Sequence, residues 1–248
     1  MKAFVTSSVR AGVIVFLLTL ALPVTSFGQI DPAEIFDEMI GKLGGDAYLG
    51  VSDVDAVGRY YQFQRGQLAG ADVFRDYLKF PDKQRTEFGR DQELVRINNG
   101  NQGWNIIEDD VEIQIPEQVG LFWEEYKVSL DHILRVIVPA SDATLQFVGR
   151  DMVDFTRVDI LEIRDEDRTR ISLYVDRSTR LLIKKTVRRI DDPQVHEEVY
   201  SNYHELDGVL TPLLVSRYTD GVKTMEIRFE TVSYNTGLSD DLFVAEED

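Results

Sequence analysis

The chain has 248 residues, with 27 basic side chains against 44 acidic ones, a formal net charge of −17 and 43% hydrophobic residues. Such a surface repels nucleic acid and anionic headgroups, while the apolar content supports a sizeable core rather than a disordered chain. With no cysteine the protein forms no disulfide, has no thiol nucleophile and cannot be acylated on a cysteine.

The N-terminus reads as a secretory signal. Lys2 and Arg10 supply basic charge, the run over 11–22 is almost purely apolar, and Pro23 ends it. Ser26 and Gly28 then place small residues three and one positions before a cut ahead of Gln29. The apolar run is shorter than the roughly 20 residues that span a bilayer. Residues 1–28 are therefore expected to be removed on export, leaving 29–248 as a single domain.

That domain opens with a helix. Asp31 suits the cap, Pro32 the first helical position, and Ile35, Phe36, Met39, Ile40 and Leu43 recur at helical spacing before Gly44-Gly45. After Gly58 the period becomes two: Tyr61 and Phe63 alternate with Gln62 and Gln64. The segment 72–80 reads as the next strand, ended by Pro81, and 94–98 and 104–107 flank an Asn99-Gly100 hairpin turn. Residues 116–137 form a helical insertion. Val119, Phe122, Trp123, Tyr126, Leu130, Ile133, Leu134 and Ile137 make its apolar stripe, and Ser129 suits a second cap, which puts a break near Val128.

The second half returns to strands. Ile171, Leu173 and Val175 alternate with polar neighbours, a turn at 176–179 leads into 181–187, and Asp207-Gly208 and Asp220-Gly221 mark further turns. Met225, Ile227 and Phe229 then point one way and Thr224, Glu226, Arg228 and Glu230 the other. The expected class is α+β, mainly antiparallel β: about ten strands in one highly curved sheet, with helices covering its concave side.

Motifs of catalysis are missing: no GxSxG, HExxH, P-loop or GxGxxG occurs. His132 falls on the insertion. His196 and His204 share a strand face about 27 Å apart at ~3.4 Å per residue, too far to share a metal. Asp53 and Asp55 lack the later glutamate of a calcium loop and read as part of a solvated loop. Glu124-Glu125 and Asp165-Glu166-Asp167 are expected neighbours in so acidic a chain. No catalytic residue, metal ligand or cofactor is therefore assigned. Arg180, Lys184, Lys185, Arg188 and Arg189 concentrate positive charge on one strand. They either pair across strands with Asp191, Asp192, Glu197 and Glu198 or form a docking strip for an acidic partner or headgroup. Alternation and helical stripe single out Tyr61, Phe63, Trp104, Ile106, Phe122, Trp123, Tyr126, Leu173, Met225, Ile227 and Phe229 as the candidate lining of a hydrophobic ligand cavity, the alternative being a packed core.

The order of turns and signature residues adds a further reading. Gly44-Gly45 is followed by Phe80-Pro81-Asp82-Lys83 with Arg85 and Glu87, then by Asn99-Gly100 and Gly103-Trp104. Asp176 and Thr179 precede Leu181-Leu182, and Tyr200-Ser201-Asn202-Tyr203 precedes Asp207-Gly208, Pro212 and Asp220-Gly221. The chain closes on Asn235-Thr236-Gly237-Leu238, Asp240 and Leu242-Phe243. This succession resembles the LolA-like periplasmic proteins, which comprise outer-membrane lipoprotein carriers and related sensor domains of sigma-factor regulators. The resemblance implies an unclosed β-barrel whose helices form a lid over a hydrophobic cavity for acyl chains. It also implies a periplasmic, monomeric carrier of lipid or lipoprotein acyl chains without a cofactor. The alternative is a sensing module that docks on a membrane-anchored partner protein. Asn202 and His204 stand where the family pattern has an acid and an arginine, so no polar role is carried over to them.

Overall fold

A computed structural model describes residues 30–139, 144–164 and 168–245; the expected signal segment and the acidic run 165–167 lie outside the described residues. Helix α1 (Pro32–Leu43) forms as the sequence anticipates. Asp31 Oδ1 accepts from the Ala33 N–H at 2.9 Å, and all five apolar positions are buried. Gly44 ends the helix at φ 129° and passes so close to the next turn that a Cβ there would lie 2.4 Å from the Gly208 carbonyl oxygen. A short α2 (Asp46–Leu49) follows.

The strands form two meanders. The first comprises β1 (Asp53–Gln64), β2 (Gln67–Lys79), β3 (Lys83–Phe88), β4 (Leu94–Asn99), β5 (Gln102–Ile107) and β6 (Asp110–Ile113). The second comprises β7 (Thr144–Val153), β8 (Thr156–Arg164), β9 (Arg170–Asp176), β10 (Leu182–Arg188), β11 (His196–Leu206), β12 (Val209–Thr219) and β13 (Val222–Tyr234). They join where β1 pairs with β13, giving one 13-stranded sheet of order β6-β5-β4-β3-β2-β1-β13-β12-β11-β10-β9-β8-β7. The sheet is curled and unclosed, antiparallel throughout, with β6 and β7 as its free edges. The expected count of about ten falls short on strands with little signal, such as β6, only four residues long, and β7, whose Gly149 breaks the alternation at a bulge.

The free edges are the two strands that flank the insertion, so the insertion bridges the opening of the curl. It consists of α3 (Pro116–Lys127), the single turn α4 (Leu130–His132) and a π-helical turn at Ile133–Ile137. The break comes at Val128, and Ser129 Oγ accepts from the His132 N–H at 3.3 Å. Helix α1 rests on β7 and β12, and α3 on β5. We call the face under α1 and the insertion the inner face. On it, Leu161, Ile163, Ile171, Leu173, Val175 and Leu182 are fully buried. The outer face carries a second core, where Val95, Ile97 and Trp104 pack against Phe243 of a closing 3-10 turn (Asp240–Phe243).

Asp53 corrects the expectation of a solvated loop. It begins β1 and is only 3% exposed. Its carboxylate accepts from Thr236 N–H at 2.7 Å, Thr236 Oγ1 at 2.9 Å and Gly237 N–H at 3.2 Å, tying the first strand to the segment after the last. Burial alone would raise its pKa; the bonds from Thr236, Gly237 and Ser52 outweigh this and lower it. Asp53→Ala should cost about 3 kcal/mol in urea unfolding at neutral pH, since charge-assisted bonds are lost and buried donors orphaned. The deficit should shrink as pH falls below the ordinary carboxylate range, because a depressed pKa stabilises only above it. An unchanged urea midpoint would remove the strut from the fold's stability.

Candidate ligand-binding face

The register assigns side chains to faces. One row on the inner face runs Leu161–Leu173–Lys185–Glu198–Arg217–Met225–Gln62 across β8, β9, β10, β11, β12, β13 and β1. The next runs Tyr200–Val215–Ile227–Tyr60, and a third Phe229–Gly58–Phe74–Phe88–Leu94. Antiparallel partners point the same way, so each row is one line of a continuous surface.

The last two rows make an aromatic floor. Gly58 has no side chain, and the rings on either side meet over it: Phe74 and Phe229 lie edge to face with centroids 5.8 Å apart. A Cβ at Gly58 would sit 2.9 Å from the Phe74 ring and 2.4 Å from the Arg228 carbonyl oxygen. Tyr60 packs against Phe88 at 5.9 Å and Phe74 at 6.5 Å, and Arg96 lies over Phe88 at 5.8 Å. Tyr60, Phe88, Met225, Ile227 and Phe229 are each only half-buried. The result is a partly open apolar surface spanning β13, β1, β2 and β3.

Charge interrupts the first row. Lys185 is 2% exposed, pairs with Glu198 at 2.8 Å and donates to the Val128 carbonyl at 2.5 Å, at the end of α3. Glu198 also lies 3.0 Å from Arg217 and accepts from the Tyr200 hydroxyl at 2.5 Å. Burial by itself would push the Glu198 carboxyl up; Lys185 and Arg217, with the hydrogen bonds from Lys185 and Tyr200, hold it down at about 2. Burial and the Glu198 charge push the Tyr200 hydroxyl well above its ordinary value. A recess of about 80 Å³ opens beside this trio, bordered by Glu125, Val128, Arg189 and His196.

The sequence-predicted set divides between faces. Leu173, Met225, Ile227 and Phe229 share the inner one, with Leu173 sealed in the core. Phe122, Trp123 and Tyr126 form a mutual cluster on α3, with centroids 5.3–5.6 Å apart. Their polar ends are engaged: Trp123 Nε1–H donates to the Gly100 carbonyl at 2.9 Å and the Tyr126 hydroxyl to that of Pro81. Tyr61 and Phe63 do not join them. Tyr61 pairs with Glu226 and lies under Arg228 at 5.2 Å, and Phe63 contacts Lys223 at 5.0 Å; a second recess of about 230 Å³ opens beside Tyr61 and Arg59. Trp104 and Ile106 also face outward, into the core beneath the C-terminal turn. The parity of β1 and β5 relative to β13 is set by long-range pairing, which alternation within one strand does not reveal. Tyr60, Phe74 and Phe88 belong to the floor although sequence reasoning passed over them; the Tyr60-Tyr61 pair, with an aromatic for each face, was the available signal.

The basic residues also separate. Lys184 pairs with Glu197 at 2.9 Å and Lys185, its neighbour, points to the opposite face. Arg180 binds Glu38 at 2.6 Å and Asp159 at 3.0 Å, Arg189 binds the Glu124 carbonyl at 2.9 Å, and Arg188 is exposed. Adjacent strand residues cannot share a face, so the five do not make one strip. Of the histidines, His196 contacts Asp192 at 2.7 Å, His204 contacts Asn202 at 3.0 Å, and His132 packs against Tyr126 at 5.3 Å.

A single antiparallel sheet curled around inner-face helices, with its edges bridged by a helical insertion, defines an unclosed β-barrel. No family profile matches the chain, and no curated protein is similar to it in sequence. Solved structures are similar. A DUF1329 family protein from Desulfovibrio piger superposes with a TM-score of 0.64 at 17% identity, covering 87% of this chain and 98% of that one. A LolA superfamily protein from Nitrosomonas europaea gives 0.59 at 9% identity, covering 88% and 99%. A putative outer membrane lipoprotein-sorting protein domain from Vibrio parahaemolyticus gives 0.58 at 14% identity, covering 85% and 94%. The fold is LolA-like.

Proposed function

We propose that this protein is a periplasmic carrier that binds acyl chains of lipids or lipoproteins on its inner face, after export directed by residues 1–28. The observation that carries the reading is the half-open floor of Met225, Ile227, Phe229, Tyr60, Phe74 and Phe88 across four adjacent strands. Sheltering about ten methylenes there is worth about 8 kcal/mol before binding costs, equivalent to roughly micromolar affinity. The recess of about 80 Å³ on this face is well below the ~300–1,000 Å³ of sites that enclose a whole ligand. Loading therefore requires α3 and the turn after it to swing away from the sheet.

Native mass spectrometry of the protein purified from the periplasm, with organic extraction, should recover a bound lipid or acylated peptide. Phe229→Glu should weaken binding of a fluorescent fatty acid at least tenfold, while Phe63→Glu on the outer face leaves it unchanged. Equal binding by both variants would remove the floor from the site, and a clean apo mass with no fatty-acid uptake would end the carrier reading.

A further inference from the structure

The aromatic floor does not run evenly to the end of the barrel; it stops at a cation. Arg217 is the direct cross-strand neighbour of Met225 on one side and Glu198 on the other. The floor and the charge therefore lie on one inner surface, with Phe229 four residues along β13 from Met225, about 14 Å at ~3.4 Å per residue. Of the nearby cations, Lys185 is spent on Glu198 and the Val128 carbonyl, and Arg189 on the Glu124 carbonyl and Glu125. Arg217 is less committed. Its Nε meets Glu198 at 3.0 Å, and its side chain is 42% exposed, towards the recess of about 80 Å³. That volume is two to three waters' worth, room for a small ionised group. A guanidinium offers five N–H donors in a planar fork, which suits an oxyanion. Around the recess Lys185, Arg189 and Arg217 face Glu125, Glu197 and Glu198, and among the three cations Arg217 has the most exposed side chain.

We infer that Arg217 is the headgroup anchor of the inner face and that the ligand is an anionic amphiphile, its carboxylate or phosphate on Arg217 and its acyl chain along Met225, Ile227 and Phe229. The inference rests on the acyl-binding reading above and adds to it the chemistry of the other end of the ligand. A cation beside an apolar floor discriminates against a neutral headgroup, because a hydroxyl cannot offset the guanidinium's charge as an oxyanion does.

The test compares three single-chain amphiphiles on delipidated protein by fluorescence displacement below their micellar concentrations: palmitate, lysophosphatidic acid and hexadecanol. The anions should bind at least tenfold more tightly than the alcohol. Arg217→Met should abolish that preference by weakening the anions tenfold or more while leaving hexadecanol unchanged, and Arg217→Lys should keep most of it. Retained hexadecanol binding shows that the methionine variant is folded. The tighter of the two anions tells a fatty carboxylate from a phosphate headgroup. Equal affinity of the native protein for palmitate and hexadecanol, or equal loss of both in Arg217→Met, overturns the anchor while the acyl-binding reading stands. Failure of all three to bind overturns both.

Discussion

Glu198→Gln should destabilise the protein by about 3–5 kcal/mol at neutral pH, the cost of leaving a buried cation without its counter-charge. Lys185, 2% exposed, would keep only the Val128 carbonyl and a neutral amide as partners. In a domain of this size such a loss lowers the melting temperature by on the order of 10 °C. The pH dependence gives the effect a signature. The Glu198 carboxyl sits at about 2 in the folded protein against an ordinary 4.5. Its contribution is therefore complete above about pH 5 and is lost as pH falls towards 2. Thermal unfolding of native protein and variant should converge over that interval and stay well separated above it. Replacing both partners, as Lys185→Met with Glu198→Leu, should recover much of the deficit, because the fully buried cation is then no longer stranded and Arg217, its side chain 42% exposed, is left to water. A constant gap from pH 7 to pH 3, or no gap at neutrality, would mean that the pair does not govern the stability of the inner face.

That pair also shows where sequence reasoning reached its limit. Lys184-Lys185 and Glu197-Glu198 read as cross-strand partners, and the structure pairs them, 184 with 197 and 185 with 198. The sequence does not reveal that one pair lies outside and the other beneath α3, because two adjacent strand residues are equivalent until the sheet has an inside. Local signals fared better. The cap, periodicity and glycine stop of α1 were legible because they act within a few residues, as was the Asn99-Gly100 turn, where Gly100 has φ 54°. Met225, Ile227 and Phe229 were legible as one face because alternation within a strand carries that information. Trp104 and Ile106 face away from the inner surface for a physical reason. Their face of β5 is dry, as alternation implies, but it is dried by a C-terminal turn more than 130 residues away rather than by the inner helices.

Phe243→Ala should produce the second large effect, and one confined to the outer face. Phe243 is 0% exposed and closes a cluster with Val95, Ile97 and Trp104. Removing a buried phenyl ring costs about 3–5 kcal/mol through lost transfer energy and the cavity left behind. Apart from the half-buried Leu238, Leu242 and Ala245, which pack at the cluster's margin, the turn that carries it is held by polar contacts: Asp240 bridges Lys79 at 2.8 Å and Lys83 at 2.7 Å, and Asn99 donates to the Phe243 carbonyl at 3.3 Å. Exposed ion pairs of this kind contribute about 1 kcal/mol or less, so without its ring the segment should detach locally before the sheet unfolds. Trp104 reports the event. In a Trp123→Phe background, Trp104 is the sole tryptophan, and Phe243→Ala should shift its emission to the red under native conditions and open the segment after 235 to proteolysis. Fatty-acid binding should persist, since β3, β4 and β5 turn Phe88 and Leu94 inward while Ile97 and Trp104 face away. Unshifted emission would show that the cluster survives without its keystone ring. A parallel loss of fatty-acid binding would show that the two faces of the sheet are coupled, and that the C-terminal turn supports the ligand face through the strands it covers.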